Sequence, residues 1–356
     1  MITITSPIAF FSDDKMVFAL SGNQPGYASI EYYFSNRPVT QDSAYIVGNG
    51  RYAATNIYEG IVRPMPVEVI KSSLTHCLAY RPASADVSFI FNDGIAQADF
   101  LIFNGKSSES LHSTLIAQGT SLAERKMNGQ SSPLLSTKTK TNLISMRESE
   151  ICPIFFMPKP EGNNSFTVKN ASGTTLLSVN DATPALAVSM VSIPVLISKF
   201  GEKFLTIEWN GYPIHVAIEN DRPTLQTRVI TFRNSYGVFE KLALTGKASA
   251  SVTLPDSTYA EFNTITQSFE LRQSRRQIPH TIKAFAGYKN KEELYFILDM
   301  LNSDEVYLSD ITEDLGIRVI PSTSEYNYFN DMDEFEPREV ELAFKPAIGD
   351  SAFTPL

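Results

Sequence analysis

Asn210-Gly211 stands between two apolar-rich runs, Phe204–Trp209 and Tyr212–Glu219, and this feature most narrows what the chain can fold into. Asn and Gly both accept the positive φ that a two-residue turn between antiparallel strands requires. The stretch therefore predicts a hairpin.

The same grammar recurs along the chain. Runs at 15–20 and 28–34 are short and apolar or aromatic. Gly48-Asn49-Gly50 separates runs at 44–47 and 52–58, and Asn92-Asp93-Gly94 separates 86–91 from 96–103. These read as strands joined by tight turns. Residues 142–146 and 154–157 have strand character, and 249–254 and one long run at 259–271 follow later. Residues 228–246 (RVITFRNSYGVFEKLALTG) place a polar knot, Arg233-Asn234-Ser235-Tyr236-Gly237, between two β-branched or apolar runs. Turn chemistry suits the knot, with Asn234 and Gly237 tolerating positive φ and Arg233 pairing across it with Glu240. On that reading Gly237→Val destabilises the turn, while Ser235→Ala leaves assembly intact. Residues 67–74 fit a short helix and a strand equally well.

Helix signals are few. Ser107 can cap a helix in which Leu111 and Leu115 are four apart, with Gly119 at its end. Asn290-Lys291-Glu292-Glu293 has the form of a capping box, and Leu294, Ile297, Leu298 and Leu301 follow as an apolar stripe. The expected fold class is mainly β: antiparallel β-sandwich-like modules with a small C-terminal α/β part, a helix on a sheet. The expected domains are an antiparallel β domain (1–105), a helix with connecting strands (106–163), a second sandwich-like domain (164–255) and the α/β domain (256–356).

Composition excludes several functions. Asp and Glu outnumber Lys and Arg by 39 to 30, and the one dense basic run, Arg272-Gln273-Ser274-Arg275-Arg276, is too short to track a phosphate backbone. Nucleic acid is not an expected partner. No apolar stretch approaches the roughly 18 residues that span a bilayer, so membrane insertion is not expected. The N-terminal MITITSPIAFFSDDKM lacks a basic start and turns polar at Ser12-Asp13-Asp14, so no signal peptide is expected. Cys77 and Cys152 form no CxxC pair, and a disulfide between them depends on the fold bringing them together.

Motifs that carry chemistry are missing. His76, His112, His215 and His280 are far apart, without metal-ligand spacing. His76 and Cys77 are chain neighbours, which a strand points to opposite faces. There is no nucleophile elbow, P-loop or dinucleotide fingerprint. The acidic run at 330–336 has Phe335 where a calcium loop needs Gly. Paired carboxylates for glycoside hydrolysis are set by folded distance and leave no sequence trace. Glu31-Tyr32-Tyr33-Phe34 and Tyr326-Asn327-Tyr328-Phe329 suit either sugar stacking or a core or interface, the latter being the commoner use. No catalytic, cofactor or metal residues are assigned.

Residues 228–246, with their strand–Asn-Ser-Tyr-Gly–strand–Thr-Gly order, resemble a segment of uncharacterised tail- and baseplate-region structural proteins of Bacteroidales phages and prophages. The similarity extends to 118–126 (QGTSLAERK), 144–150 (ISMRESE), 6–10 (SPIAF) and the helix–strand plan around 302–308 (NSDEVYL). It touches most of the chain in patches, and none of these motifs is catalytic. The resemblance implies a non-enzymatic virion structural protein of the tail, made in the host cytoplasm. It would assemble as a multi-copy ring with itself and with other tail proteins. The alternative is a carbohydrate- or receptor-binding module of a phage or cell surface, with a host surface glycan as its partner. A polysaccharide-degrading enzyme is the third reading.

Overall fold

The computed structural model describes residues 2–22, 25–47, 49–54, 57–58, 65–66, 75–92, 94–139, 142–162, 164–180, 186–221, 228–252, 258–273, 280–289, 291–310, 316–323 and 338–347. The chain forms two units, one of Met1–Glu219 with Asn234–Glu240, the other of Asn220–Arg233 with Lys241–Leu356. This differs from the expected four-part division. The reason lies in strand partners that are distant in sequence.

In the first unit, a five-stranded sheet runs in the order Ala9–Phe11, Gly94–Phe103, Ala83–Phe91, Gly26–Phe34, Arg37–Ile46. A three-stranded sheet of Thr3–Thr5, Met16–Ser21 and Gly50–Ala54 is also present. Phe18, Ile30, Tyr32, Phe89 and Phe100 belong to one buried cluster drawn from both sheets. Alternation decides the faces, since Ala28, Ile30 and Tyr32 are buried and Tyr27, Ser29 and Glu31 are not.

A second sandwich uses a sheet ordered Leu143–Arg147, Tyr212–Glu219, Phe204–Trp209, Ser165–Asn170, Thr175–Asn180. The Asn210-Gly211 hairpin forms as expected, with Trp209 opposite Tyr212. The other sheet joins Ile154–Phe156, Val188–Val191, His76–Arg81 and Met65–Pro66. His76–Arg81 therefore leaves the first 105 residues to complete this sandwich. Trp209 is fully buried here, stacked on Phe156 at 4.8 Å.

Two helices were not anticipated. Ser121 caps Leu122–Met127 by accepting from the Glu124 amide at 3.0 Å, and Ile193–Phe200 has Pro in its first turn and ends at Gly201. The expected helix after residue 107 is Glu109–Gln118, closed by Gly119 in the left-handed region. Its N-cap is Ser108, not Ser107. The Ser107 hydroxyl and amide both donate to the buried Asp14 carboxylate instead.

The second unit is built on a seven-stranded sheet ordered Phe239–Leu244, Arg228–Arg233, Val306–Asp310, Ile317–Pro321, Arg338–Pro346, His280–Lys289, Ala248–Val252. The expected small sheet is larger, because it recruits strands from 228–252 that were assigned to the second sandwich. Helix Lys291–Leu301 packs on it as expected, through a rotated stripe. Leu294, Phe296, Ile297 and Met300 are buried, and Leu298 is only half-buried. Phe296 meets Phe232 edge-on at 5.1 Å, which sets that rotation. Asn290 and residues 67–74 lie outside the described residues.

Candidate assembly surface

The polar knot is not an open loop. Asn234 is buried, and its Oδ1 accepts from the amides of Tyr236 (2.9 Å) and Val238 (3.2 Å). Its amide group donates to the Leu135 carbonyl at 3.0 Å and to Glu240 at 2.6 Å. Ser136 donates its hydroxyl to the other Glu240 oxygen. Gly237 has φ 76°, and a Cβ there would stand 2.8 Å from the Asn104 side chain. Ser235 contributes its carbonyl, which accepts from the Lys106 amide at 2.6 Å. The expected Arg233–Glu240 pair is absent. Arg233 forms a forked contact with Asp304 at 2.6 and 2.8 Å, because Glu240 turns inward to Asn234 and Ser136.

Two buried cations lie nearby in the first unit. Burial pulls the Lys138 ammonium down, but Glu150 at 2.9 Å, with Cys152 and Glu240, more than offsets this and holds it above the ordinary lysine value. Lys126 is pulled down to about 7 by burial. Its ammonium donates to the carbonyls of Ser132 (2.8 Å) and Leu134 (2.6 Å) and lies 4.6 Å from the centre of the Tyr236 ring. A buried polar group must be hydrogen-bonded to be tolerated. These are, and the arrangement tethers the chain.

The remaining candidates resolve in the same direction. Tyr32 is buried and donates to the Tyr52 hydroxyl, which in turn donates to Asp42 at 2.7 Å. Tyr33 donates to Glu31 at 2.6 Å. Tyr32 is core, whereas Tyr33 is half-buried on the opposite, outward face together with Glu31, so the run is divided between the two sides of its sheet. Residues 326–329 and 330–336 lie outside the described residues. The His76 ring packs on Phe166 at 5.2 Å, and burial raises the neighbouring Cys77 thiol, the reverse of what a nucleophile needs. Cys77 and Cys152 are both free and buried. His215 shares a 3.0 Å hydrogen bond with Thr206. Among the described residues no group of three or more His, Cys, Asp or Glu is placed to hold a metal. A cleft of about 460 Å³ is lined by Trp209, Asn210 and Tyr212 on one wall and Met157, Lys159 and Glu161 on another. Trp209 is sealed beneath it and donates to the Met157 carbonyl, so the indole offers no face to a ligand.

What the surface does present is apolar. Tyr27 (78% exposed) and Tyr45 (55%) are cross-strand partners on the five-stranded sheet, with ring centres 5.0 Å apart. Val47 and Ile95 are also exposed on that side, and the strand register places Glu31, Asp86 and Asp99 on the same face. Burial, then the neighbouring Asp99, holds the Asp86 carboxyl above its ordinary value.

The second surface is in the other unit. The long run at 259–271 is not one strand: it folds back as a hairpin of Thr258–Asn263 and Ser268–Gln273, with Gln267 at φ 51°. Asn263 fixes the turn by accepting from the Ile265 amide at 2.9 Å. Neither strand pairs with another among the described residues. Phe262 lies opposite Phe269 and Ala260 opposite Leu271, whereas Glu261 faces Glu270 on the reverse side. The apolar side is uncovered, with Phe269 73%, Leu271 77% and the turn residue Ile265 91% exposed.

No family model matches the chain, and no curated protein does. Among solved structures it is similar to titin tandem immunoglobulin domains (7% identity, 62% of this chain and 97% of that one, TM-score 0.20). It is likewise similar to the Pseudomonas aeruginosa CupB2 chaperone (9% identity, 67% and 96%, TM-score 0.20). Domains 3–5 of Drosophila OTK give 8% identity over 79% and 90%, with TM-score 0.23. At TM-scores of 0.20–0.23 these likenesses carry no argument about fold, partners or activity. The fold class is mainly β, as the sequence predicts, with β-sandwich character.

Proposed function

We propose that this chain is a structural component of a phage tail or baseplate region, assembling in multiple copies with itself and with other tail proteins in the virion. The observation that carries this reading is a division of labour among side chains. The buried polar groups around Asn234, Glu240, Lys138 and Lys126 are engaged in holding the fold, while two clusters of large apolar side chains face outward. Contiguous exposed apolar surface rimmed by polar residues marks an interaction site. The resemblance of 228–246 and its companion segments to tail-region proteins supplies the setting. No helix among the described residues is long and apolar enough to cross a membrane. Mass spectrometry and electron microscopy of purified particles test the proposal: the chain is expected in stoichiometric, multi-copy amount, and its absence from particles would overturn it. The exposed Tyr27–Tyr45 pair supports a second reading, a surface glycan-binding module. An array of host surface polysaccharides separates the two, since only the second requires binding that Tyr27→Ala removes.

A further inference from the structure

We propose that the outward face of the five-stranded sheet, around Tyr27 and Tyr45, docks an extended segment of another tail component, one with bulky apolar residues at one end and Lys or Arg at the other. This rests on the reading of the chain as an assembling component, and adds the chemistry of what it meets.

This face is divided along its strands. Register puts Tyr27 opposite Tyr45, then Ser29 between Ser43 and Ile90, with Ile95 beyond Ile90. Tyr27, Tyr45, Val47 and Ile95 form the apolar end, each more than half exposed. Taking roughly 200 Å² for a whole aromatic side chain, these four present on the order of 500 Å². An equal area on a partner brings the contact to about 1,000 Å², the level a specific interface needs. Farther along the same face come Glu31 and then Tyr33, which lies opposite Asp86, itself opposite Asp99. At roughly 3.3 Å per residue, Tyr27 and Tyr33 are about 20 Å apart along their strand. An extended segment reaches both ends at once.

Charge fixes the chemistry of the second end. The strands Gly26–Phe34, Ala83–Phe91 and Gly94–Phe103 contain no Lys or Arg. The one cation of Arg37–Ile46, Arg37, stands opposite Phe34, which packs on the core side. Asp86 and Asp99 therefore oppose each other with no cation of their own sheet on that face. Like charges directly opposite destabilise a sheet, and burial together with Asp99 holds the Asp86 carboxyl above its ordinary value. Gln97 donates to Asp86 at 3.2 Å, and Tyr33 and Gln41 donate to Glu31 at 2.6 and 3.3 Å, which orients these carboxylates without neutralising them. A Lys or Arg from a partner relieves the opposition, and the exposed tyrosines add the demand for apolar residues at its other end. A second copy docked face to face would oppose two sets of carboxylates, and a neutral sugar would leave them unpaired.

Fluorescence titration of the full chain at low ionic strength tests this with a labelled synthetic peptide, Leu-Val-Leu-Ser-Lys-Ser-Lys, and a control in which Glu replaces both Lys. Two double variants are compared with the wild type, Tyr27→Ser with Tyr45→Ser and Asp86→Asn with Asp99→Asn, and circular dichroism confirms that both fold. The wild type is expected to bind the basic peptide, less so in salt, and to prefer it to the control. Each double variant weakens that binding about tenfold or more. Only the Asp86 and Asp99 changes also abolish the preference for the basic peptide, and they raise the thermal midpoint of the free chain, because they remove a like-charge pair. No binding, binding that either variant leaves unchanged, or equal binding of the control overturns the proposal. So does binding of a host polysaccharide, or self-association, that disappears with Tyr27→Ser and Tyr45→Ser, since a glycan or a second copy then occupies the face. Particle composition answers the separate question: a chain in virions that ignores the peptide refutes only this site, and a peptide-binding chain absent from them refutes only the virion assignment.

Discussion

Two hairpin connections in this chain invert the usual rule for turns. The 234–240 connection is polar and largely buried, whereas the 258–273 hairpin is apolar on one side and exposed. The first is tolerated because Asn234 alone makes four hydrogen bonds and Glu240 has two side-chain partners. The second has a satisfied backbone turn but uncovered rings. Complete pairing of polar groups indicates an element already in its final environment. Uncovered apolar surface of this extent indicates one whose environment is supplied from outside.

The largest expected effect tests the first half of that contrast. Asn234→Ala removes all four bonds, leaving two amides and the buried Glu240 carboxylate short of partners. Glu240 keeps the Ser136 hydroxyl, but each buried donor or acceptor left unsatisfied costs about 1–3 kcal/mol, and this change leaves more than one. Trp209, the sole tryptophan, is buried in the same unit and reports its unfolding by fluorescence. An unfolding free energy from urea titration within about 0.5 kcal/mol of wild type would show that the knot is not a tether. Gly237→Val should follow at about 2–3 kcal/mol, combining left-handed strain with collision against Asn104.

The pH dependence of stability sharpens the same point through Lys126. Burial lowers its folded value to about 7, whereas the unfolded chain keeps the proton up to about 10.4. Between these values the unfolded state binds more protons, so this group makes stability rise with pH across the window. Below it both states are protonated, and above it neither is. In Lys126→Met that contribution to the slope disappears, and the wild type should gain on the variant between about pH 7 and 10. Equal slopes would mean that the Ser132 and Leu134 carbonyls and the Tyr236 ring keep the ammonium charged.

How much of this was legible follows from the range of the interactions. Asn210-Gly211 fixed its own hairpin because turn and pairing are local. His76–Arg81 could not be placed, since its partner Val188–Val191 lies more than a hundred residues away. The helix Leu122–Met127 did leave a local mark, Ser121 three residues before Glu124, which lay within a segment read for its family likeness. The outward aromatics were hidden for a different reason. The run 259–271 alternates like any strand, and only the bend at 264–267 brings Phe262 opposite Phe269 and leaves both without a core. Sequence identified the aromatic residues but not their side, so Tyr32 and Tyr33 drew attention while Tyr27, five residues earlier, carries the exposed face.

The smallest expected change in stability completes the comparison. Phe269→Ser removes a large side chain that is already mostly in water, so it gives up little burial, and among the described residues its ring meets that of Phe262 at 5.2 Å. An exposed substitution of this kind shifts stability by about 0.5 kcal/mol or less, measured as the thermal midpoint of a monomeric sample at low concentration. An aromatic anchor in an interface behaves differently, because its truncation weakens association about tenfold or more. The two readouts should therefore separate, with the midpoint unmoved and assembly into particles lost. If the midpoint falls as far as it does for Asn234→Ala, Phe269 is covered within its own chain, and the exposed hairpin belongs with the buried knot as part of a finished fold.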